Sequence, residues 1–143
     1  MQVTQISIFL ENKSGRLADV CSLLGQQNIN IRALSIADTT DFGILRLIVN
    51  EPAKAVKILR EDSFIVSETE VIAVAVPDSP GGLAEVLVRL AQGMINLEYL
   101  YAFLGQKSNH ALVIFRVDDI PGALRVLGES GIKVLPSDEV YAL

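Results

Sequence analysis

The chain has 143 residues, half of them hydrophobic and a fifth charged, with a formal net charge of −5 at pH 7. A charged residue interrupts every apolar stretch before it reaches the roughly 18 residues that a membrane helix needs, so we expect no transmembrane segment. An acidic chain without a cluster of Lys or Arg is also a poor match to the phosphates of nucleic acids. The lack of a signal peptide, and a single cysteine that excludes an internal disulfide framework, lead us to expect a cytoplasmic protein.

The sequence repeats itself after 66 positions. Residues 14–30 and 80–96 are identical at eight of seventeen positions, and the similarity continues toward the end of the chain at offsets of 68 and 69. A repeat of this kind indicates two copies of one structural unit of about 70 residues. We therefore predict two domains, residues 1–70 and 71–143.

Each copy predicts the same order of elements. An alternating strand precedes a helix with apolar residues at helical spacing; two strands joined by a polar turn, a second helix and a short last strand follow. In the first copy these elements lie at 6–10, 17–24, 29–37, 42–50, 51–61 and 65–70, with the polar turn at 38–41. In the second copy they lie at 72–76, 83–90, 95–104, 110–118, 119–129 and 133–140, with the polar turn at 105–109. We expect an α+β fold of two ferredoxin-like βαββαβ units in tandem, each an antiparallel sheet with helices on one face.

One face of each predicted sheet is more apolar than a solvent-exposed face should be. The third strands place four aliphatic residues on the side away from the helices: Ile44, Ile48, Leu112 and Ile114. A sheet with helices on one side only is normally polar on the other side. We therefore expect a second chain to cover this apolar sheet face, which gives a homodimer.

The two copies share a glycine-containing turn, a helix and a strand that opens with Ile-Asn. These features lie in "LENKSGRLADVCSLLGQQNINIRALSI" (10–36) and "VPDSPGGLAEVLVRLAQGMINLEYL" (76–100). Their combination resembles the ACT domain, a small regulatory module that binds amino acids, and the resemblance covers nearly the whole chain. The family's turn commonly reads Asp/Asn-x-Pro-Gly-x-Leu. The second copy matches it at Asp78, Pro80, Gly81 and Leu83, whereas the first keeps Asn12, Gly15 and Leu17 but has Ser14 in place of the proline.

The resemblance implies a free-standing tandem ACT protein that senses a free amino acid. In the family the ligand commonly lies between two units, where it contacts the turn before the first helix of one unit and the start of the second strand of its neighbour. Carried over to this chain, the implied ligand contacts are Asn12, Lys13, Ser14, Gly15, Arg16 and Leu17 in the first turn, Asp78, Ser79, Pro80, Gly81, Gly82 and Leu83 in the second turn, and Asn30 and Asn96 on the strands.

The chemistry of the turn independently suits a zwitterion. The first turn of a helix has unpaired N–H groups and a partial positive charge, both of which favour a carboxylate. The glycines would let a ligand approach the backbone, and Asp78 could accept the ligand's ammonium group. The first copy has the neutral Asn12 at that position, so the two turns need not bind equally well. The alternative interpretation is that the glycines only shape the turn, with Ser14, Asp78 or Ser79 capping the helix.

Catalytic and cofactor motifs are missing from the sequence. It contains no G-x-S-x-G, P-loop, C-x-x-C, H-E-x-x-H or G-x-G-x-x-G pattern, so we expect no enzyme activity, no cofactor and no metal. His110 has no second histidine or cysteine nearby with which to bind a metal. Cys21 lies on the apolar stripe of the first helix, which predicts a buried, inert thiol.

Three alternative functions remain open. The first copy also resembles the opening of the acetohydroxyacid synthase small subunit, so the chain could be the regulatory subunit of an amino-acid biosynthetic enzyme. An enzyme on a ferredoxin-like scaffold would need a cleft with paired ionisable groups, and the sequence does not reveal one. RNA binding on the same topology would use Tyr99, Tyr101 and Phe103, but these aromatic residues belong to an acidic chain.

Overall fold

The computed structural model describes residues 1–38, 41–104 and 109–143. Residues 39–40 of the first predicted polar turn and residues 105–108 of the second lie outside the described residues. The chain divides into two compact units. The N-terminal unit comprises Thr4–Thr69 with Tyr141–Leu143, and the C-terminal unit comprises Glu70–Val140 with Met1–Val3.

The elements follow the order that the repeat predicts. The first six are β1 (Val3–Glu11), α1 (Arg16–Gln26), β2 (Ile31–Asp38), β3 (Phe42–Val49), α2 (Pro52–Glu61) and β4 (Ile65–Pro77). The chain continues with α3 (Gly82–Gln92), β5 (Leu97–Ala102), β6 (His110–Val117), α4 (Ile120–Glu129), β7 (Val134–Leu135) and α5 (Ser137–Tyr141). The long strand β4 serves both repeats, because its first five residues belong to the N-terminal unit and the rest to the C-terminal unit. Across these described elements, no helix is long and apolar enough to span a membrane.

Each unit contains an antiparallel sheet. In the N-terminal unit the strand order is β2-β3-β1, and Leu45 of β3 stands opposite both Ile8 of β1 and Ile36 of β2. In the C-terminal unit the order is β7-β4-β6-β5. The element order and these sheets confirm the predicted α+β fold of two tandem ferredoxin-like units.

The alternation along the strands decides which side chains enter the two cores. As predicted, every second residue of the first strand of each repeat is buried in the core that the helices cover: Ile6, Ile8 and Leu10 in β1, and Ile72, Val74 and Val76 in β4. The helices contribute Val20, Leu24 and Leu59 to one core and Val86, Leu90 and Leu127 to the other. A fully buried aliphatic side chain contributes about 1.5–3 kcal/mol, so these cores are the main source of stability.

The opposite sheet face differs in part from the expectation. Three of the four aliphatic residues expected to need a second chain are already buried within this single chain: Ile48, Leu112 and Ile114. The fourth, Ile44, is exposed beside Phe9, whose ring stacks on that of Phe42 with the centroids 4.9 Å apart. We call Phe9, Phe42 and Ile44, all three exposed, the outer apolar patch. Because three of these four residues are already covered, the predicted homodimer has a smaller apolar surface to use on this face than the sequence suggests.

The end of the second repeat also differs from the expectation. The predicted strand over 133–140 is wrong beyond Leu135, because the chain leaves the sheet there and α5 begins at Ser137. Pro136 has no N–H to donate to a neighbouring strand, so the ladder stops at this residue. The carbonyl of Pro136 instead accepts the N–H of Val140 at 3.1 Å, which closes a helical turn.

Candidate functional site

The turn between β1 and α1 is held by short backbone hydrogen bonds. The N–H of Asn12 donates to the carbonyl of Asp41 at 2.8 Å, and the N–H of Lys13 donates to the carbonyl of Glu11 at 2.8 Å. Gly15 is the N-cap residue of α1 and has a φ of +88°, a left-handed conformation that glycine adopts without steric cost. These contacts hold residues 12–15 against the ends of the strands.

The turn between β4 and α3 follows the same course and is more tightly packed. The N–H of Asp78 donates to the carbonyl of Asn109 at 3.1 Å, and Gly81 is the N-cap residue of α3 with a φ of +83°. Gly82 is buried, and a Cβ atom at this position would collide with the carbonyl oxygen of Pro77. The second turn therefore excludes any side chain at residue 82.

The three glycines of the turns each have a structural reason. Gly15 and Gly81 lie in the left-handed region, and Gly82 fills a space too small for a side chain. The N-cap position is taken by glycine in both turns, not by the capping residues of the alternative interpretation, Ser14, Asp78 or Ser79. That the glycines also admit a ligand stays a prediction.

A cleft of about 190 Å³ opens beside the N-terminal turn. Its lining residues are Leu10, Glu11, Asn12, Lys13, Arg16, Leu17, Ile36 and Gly43. Four of these were predicted from the sequence, namely Asn12, Lys13, Arg16 and Leu17. The predicted residues Ser14 and Gly15 are exposed on the turn and do not line the cleft.

The other four lining residues were missed by the sequence reasoning. Strand pairing brings them to the turn, because Gly43 stands opposite Leu10 of β1 and also opposite Asp38 of β2. Two strands that are both antiparallel to a third run parallel to each other, so β1 and β2 end at the same edge of the sheet. This topological rule is the signal that could have pointed to Ile36 near the end of β2.

Charged side chains of both signs lie along the rim of the cleft. Lys13 pairs with Glu11 at 2.7 Å, and its hydrogen bond and positive charge lower the pKa of Glu11 below the ordinary value of 4.5. Glu11 therefore stays ionised at neutral pH. The guanidinium of Arg16 lies over the ring of Phe64, 4.8 Å from the centroid, and its Nη1 is 3.6 Å from a carboxylate oxygen of Asp19. The Nε of Arg16 is buried and has no hydrogen-bond acceptor among the described residues.

Arg16 also borders a second space, a groove of about 370 Å³ along α1. The other lining residues of this groove are Asp19, Ser22, Leu23, Gln26, Asp62 and Phe64. The buried ring of Phe64 and the carboxylate of Asp19, which the guanidinium of Arg16 contacts, both line this groove and not the cleft.

The strand-side candidates Asn30 and Asn96 lie at the far end of the sheets of their own units. The N–H of Asn30 donates to Oδ1 of Asn50 at 2.9 Å, and the N–H of Asn50 donates back to the carbonyl of Asn30 at 3.2 Å. Asn96 and Asp118 exchange the same two bonds at 3.0 and 3.1 Å. With a rise of about 3.3 Å per residue, Asn30 stands roughly 25 Å from the cleft end of its strand. Neither asparagine reaches the turn of its own unit, and a contact with the turn of a neighbouring unit stays a prediction.

Two further sequence expectations concern metal binding and the thiol of Cys21. Within residues 1–38, 41–104 and 109–143, no group of three or more His, Cys, Asp and Glu side chains could hold a metal ion. Cys21 is half-buried on α1 and not fully buried as expected, and its burial raises the pKa of the thiol. A raised pKa keeps the less reactive protonated form at neutral pH.

Comparisons with known proteins agree with the fold and its repeat. A family model described as "ACT domain pair" matches residues 1–143. Over its whole length the chain is similar to a solved structure of a protein from Bacteroides thetaiotaomicron, with 42% sequence identity and a TM-score of 0.94. That match covers 100% of this chain and 98% of the other. No curated protein matches this chain.

Two more distant structures share the fold. The ligand-free regulatory subunit of aspartate kinase from Thermus thermophilus is 16% identical with a TM-score of 0.64, and the match covers 89% of this chain and 91% of that one. An aspartate kinase from Synechocystis is 18% identical with a TM-score of 0.61, over 93% of this chain and 26% of that one. At these identities the similarity is one of fold.

Proposed function

Because this chain belongs to the family of ACT domain pairs, which are regulatory modules, we propose that it is a regulatory protein that binds a free amino acid. The observation that carries this proposal is the cleft beside the N-terminal turn, which collects four of the residues expected to contact a ligand. The second turn, from Asp78 to Leu83, is the corresponding candidate in the C-terminal unit. Asn30 and Asn96 remain candidate contacts from the strands.

The rim of the cleft suits both ends of a zwitterion. Lys13 and Arg16 supply positive charge for a carboxylate, and Glu11 supplies negative charge for an ammonium group. The start of α1 adds the partial positive charge of a helix N-terminus. A cleft of about 190 Å³ is smaller than the ~300–1,000 Å³ of drug-sized sites, which favours a small metabolite over a nucleotide cofactor.

Regulation in this proposal follows from differential binding and needs no catalysis. A ligand that binds one arrangement of the protein more tightly than another shifts the population toward the first arrangement. Among the described residues that line the cleft, Glu11 is the one carboxylate and no nucleophile stands beside a base, so we infer a sensor and not an enzyme. We place this sensor in the cytoplasm, as the sequence leads us to expect.

A thermal-shift panel of the twenty amino acids, followed by isothermal titration of each hit, tests the proposal. A ligand at 100 times its Kd adds about 2.7 kcal/mol to the free energy of unfolding. For a chain of this size that increment raises Tm by roughly 5–10 °C. A shift confined to one amino acid or a few related ones supports the proposal, and no shift with any of the twenty contradicts it.

A second candidate function is the regulatory subunit of an amino-acid biosynthetic enzyme such as acetohydroxyacid synthase, as the resemblance of the first copy implies. The shared fold of the Thermus thermophilus aspartate kinase regulatory subunit favours a role of this kind. A tagged chain that co-purifies with a catalytic partner in equal amounts would support this candidate. Recovery of the chain without such a partner would favour the free-standing sensor.

We further propose that the chain forms a homodimer through the outer apolar patch. The patch lies between Glu11 at one end and Arg46 at the other, on the same sheet face. A twofold axis across the strands would stack the apolar side chains of the two copies on each other. Sedimentation equilibrium should find a dimer that Phe42→Ser weakens and that Val88→Ser, at another exposed apolar position on α3, leaves intact. A monomeric wild-type protein would refute this arrangement.

A further inference from the structure

The two turns share a backbone course but differ in the side chains around it. At the positions of Lys13, Arg16 and Ile36 in the N-terminal unit, the C-terminal unit has Ser79, Gly82 and Ala102. At these three corresponding positions the C-terminal unit therefore has neither a cation nor a large aliphatic residue. The carbonyl oxygen of Pro77 leaves no room for any side chain at residue 82, so the C-terminal turn cannot hold a counterpart of Arg16 at this position.

Three of the residues that line the N-terminal cleft are large and aliphatic. Leu17 of α1 is 39% exposed and Ile36 of β2 is 46% exposed, and both line the cleft together with the buried Leu10. Large apolar side chains that stay exposed in a concave site are typical contacts of an apolar ligand group. The small volume of the cleft limits that group to a short chain.

Arg16 lines the cleft and also the neighbouring groove along α1, so it can offer a positive charge to an anion that enters the cleft. Stacking on Phe64 holds the guanidinium plane, and the contact with Asp19 is long at 3.6 Å. The Arg16 side chain is 37% exposed, so an anion can reach the guanidinium, although its Nε, which has no acceptor within the described part of the chain, is buried. A carboxylate satisfies two guanidinium donors at once, because the two planar groups match in geometry.

We propose that the N-terminal turn is the ligand site of this chain, that its ligand is an α-amino acid with a short aliphatic side chain, and that Arg16 binds the ligand's carboxylate. The side chain of the ligand packs against Leu17 and Ile36, and its ammonium group faces Glu11. The C-terminal turn has a structural role. This inference rests on the proposed function and narrows it to one turn and one chemical class.

Titration of the wild-type protein is the first test. We expect one ligand per chain, with leucine or valine binding at least about tenfold more tightly than aspartate or lysine, because a charged side chain would lose its hydration against the aliphatic wall. The 2-oxo acid of leucine should bind more weakly than leucine, since it lacks the ammonium group. Two ligands per chain, a preference for a charged amino acid, or equal binding of the oxo acid would overturn the inference.

Matched variants then test the named residues. Leu17→Ser should weaken binding roughly three- to tenfold, since an apolar contact is lost. Leu83→Ser, at the same helical position in the C-terminal unit and 37% exposed, should leave binding unchanged. Arg16→Gln should weaken binding about tenfold or more, whereas Arg125→Gln, an exposed arginine on α4, should not. Equal effects of Leu17→Ser and Leu83→Ser would overturn the assignment to one turn.

The failure of this inference can be told apart from failure of the proposed function. If no amino acid binds the wild-type protein, the proposed function fails and this inference fails with it. If an amino acid binds but Leu17→Ser and Arg16→Gln do not weaken it, only the inference fails. Should loss of the Phe64 contact keep Arg16→Gln from folding, the exposed Leu17→Ser variant and its control decide the question alone.

Discussion

Gly82→Ala should destabilise the protein although alanine is the better helix former. Gly82 opens α3, and the added Cβ atom would collide with the carbonyl oxygen of Pro77, a backbone atom that has no alternative rotamer. Relief of the overlap requires a shift of the turn or the helix, and overpacking of this kind costs about 1–3 kcal/mol. The gain in helix propensity offsets at most about 1 kcal/mol of this cost. We therefore expect the free energy of unfolding to fall by about 1–2 kcal/mol.

Gly25→Ala provides the matched control for this prediction. Gly25 lies in α1 without a positive φ, and a Cβ atom there meets nothing within 4 Å. The same substitution should therefore stabilise the protein by about 0.5–1 kcal/mol. Thermal unfolding followed by circular dichroism should show Tm lowered by roughly 3–6 °C for Gly82→Ala and raised by roughly 2 °C for Gly25→Ala. An unchanged or raised Tm for Gly82→Ala would refute the close packing of the second turn.

Three further predictions concern single side chains. Asp119 is the N-cap of α4, and its Oδ1 accepts the N–H of Gly122 at 3.0 Å. Asp119→Ala should therefore lower the free energy of unfolding, measured in urea, by about 1 kcal/mol, and Asp119→Asn should lower it much less. Equal losses for the two variants would contradict a capping role. Lys13 lowers the pKa of Glu11, so the stability that this carboxylate contributes is present above its ordinary value of 4.5 and is lost as the pH falls through the lowered pKa. Glu11→Gln should consequently lose less stability than the wild type on acidification, and parallel pH profiles would argue against the pair. Burial raises the pKa of the Cys21 thiol, so iodoacetamide should alkylate it more slowly in the folded protein than in urea; equal rates would show that the thiol is fully accessible.

The fold could be predicted because its main signals are local and occur twice. The alternation of Ile6, Ile8 and Leu10 marks a half-buried strand without knowledge of the rest of the chain, and the second copy repeats it. The repeat led to a wrong prediction at the end of the chain, where the alignment of the second copy with the first extends the last strand over residues 137–140. Pro136 outweighs that similarity, because it removes the N–H that a continuing ladder would need.

The candidate site could be predicted only where it is made of consecutive residues. Asn12, Lys13, Arg16 and Leu17 share one turn and the start of one helix, so the motif and the spacing identify them together. Ile36 and Gly43 enter the cleft through the strand register, which depends on long-range pairing. The sequence does not give this register, because each strand could pair with its neighbour at several offsets. Burial of the apolar strand faces in the cores favours one of these offsets.

The sequence by itself determined the repeat, the order of the elements, the buried face of each first strand and the family to which the chain belongs. These properties depend on side-chain periodicity and on turn chemistry within short stretches, where few alternatives compete. Only the tertiary structure decided that the two similar turns differ. It places Phe64 beneath Arg16 and Ile36 beside Leu17 in one unit, and it presses the carbonyl of Pro77 against Gly82 in the other. The contacts of Arg16 and Leu17 join residues that are distant in the chain, and the close approach of Pro77 to Gly82 depends on the detailed course of the turn, so neither can be read from the local sequence.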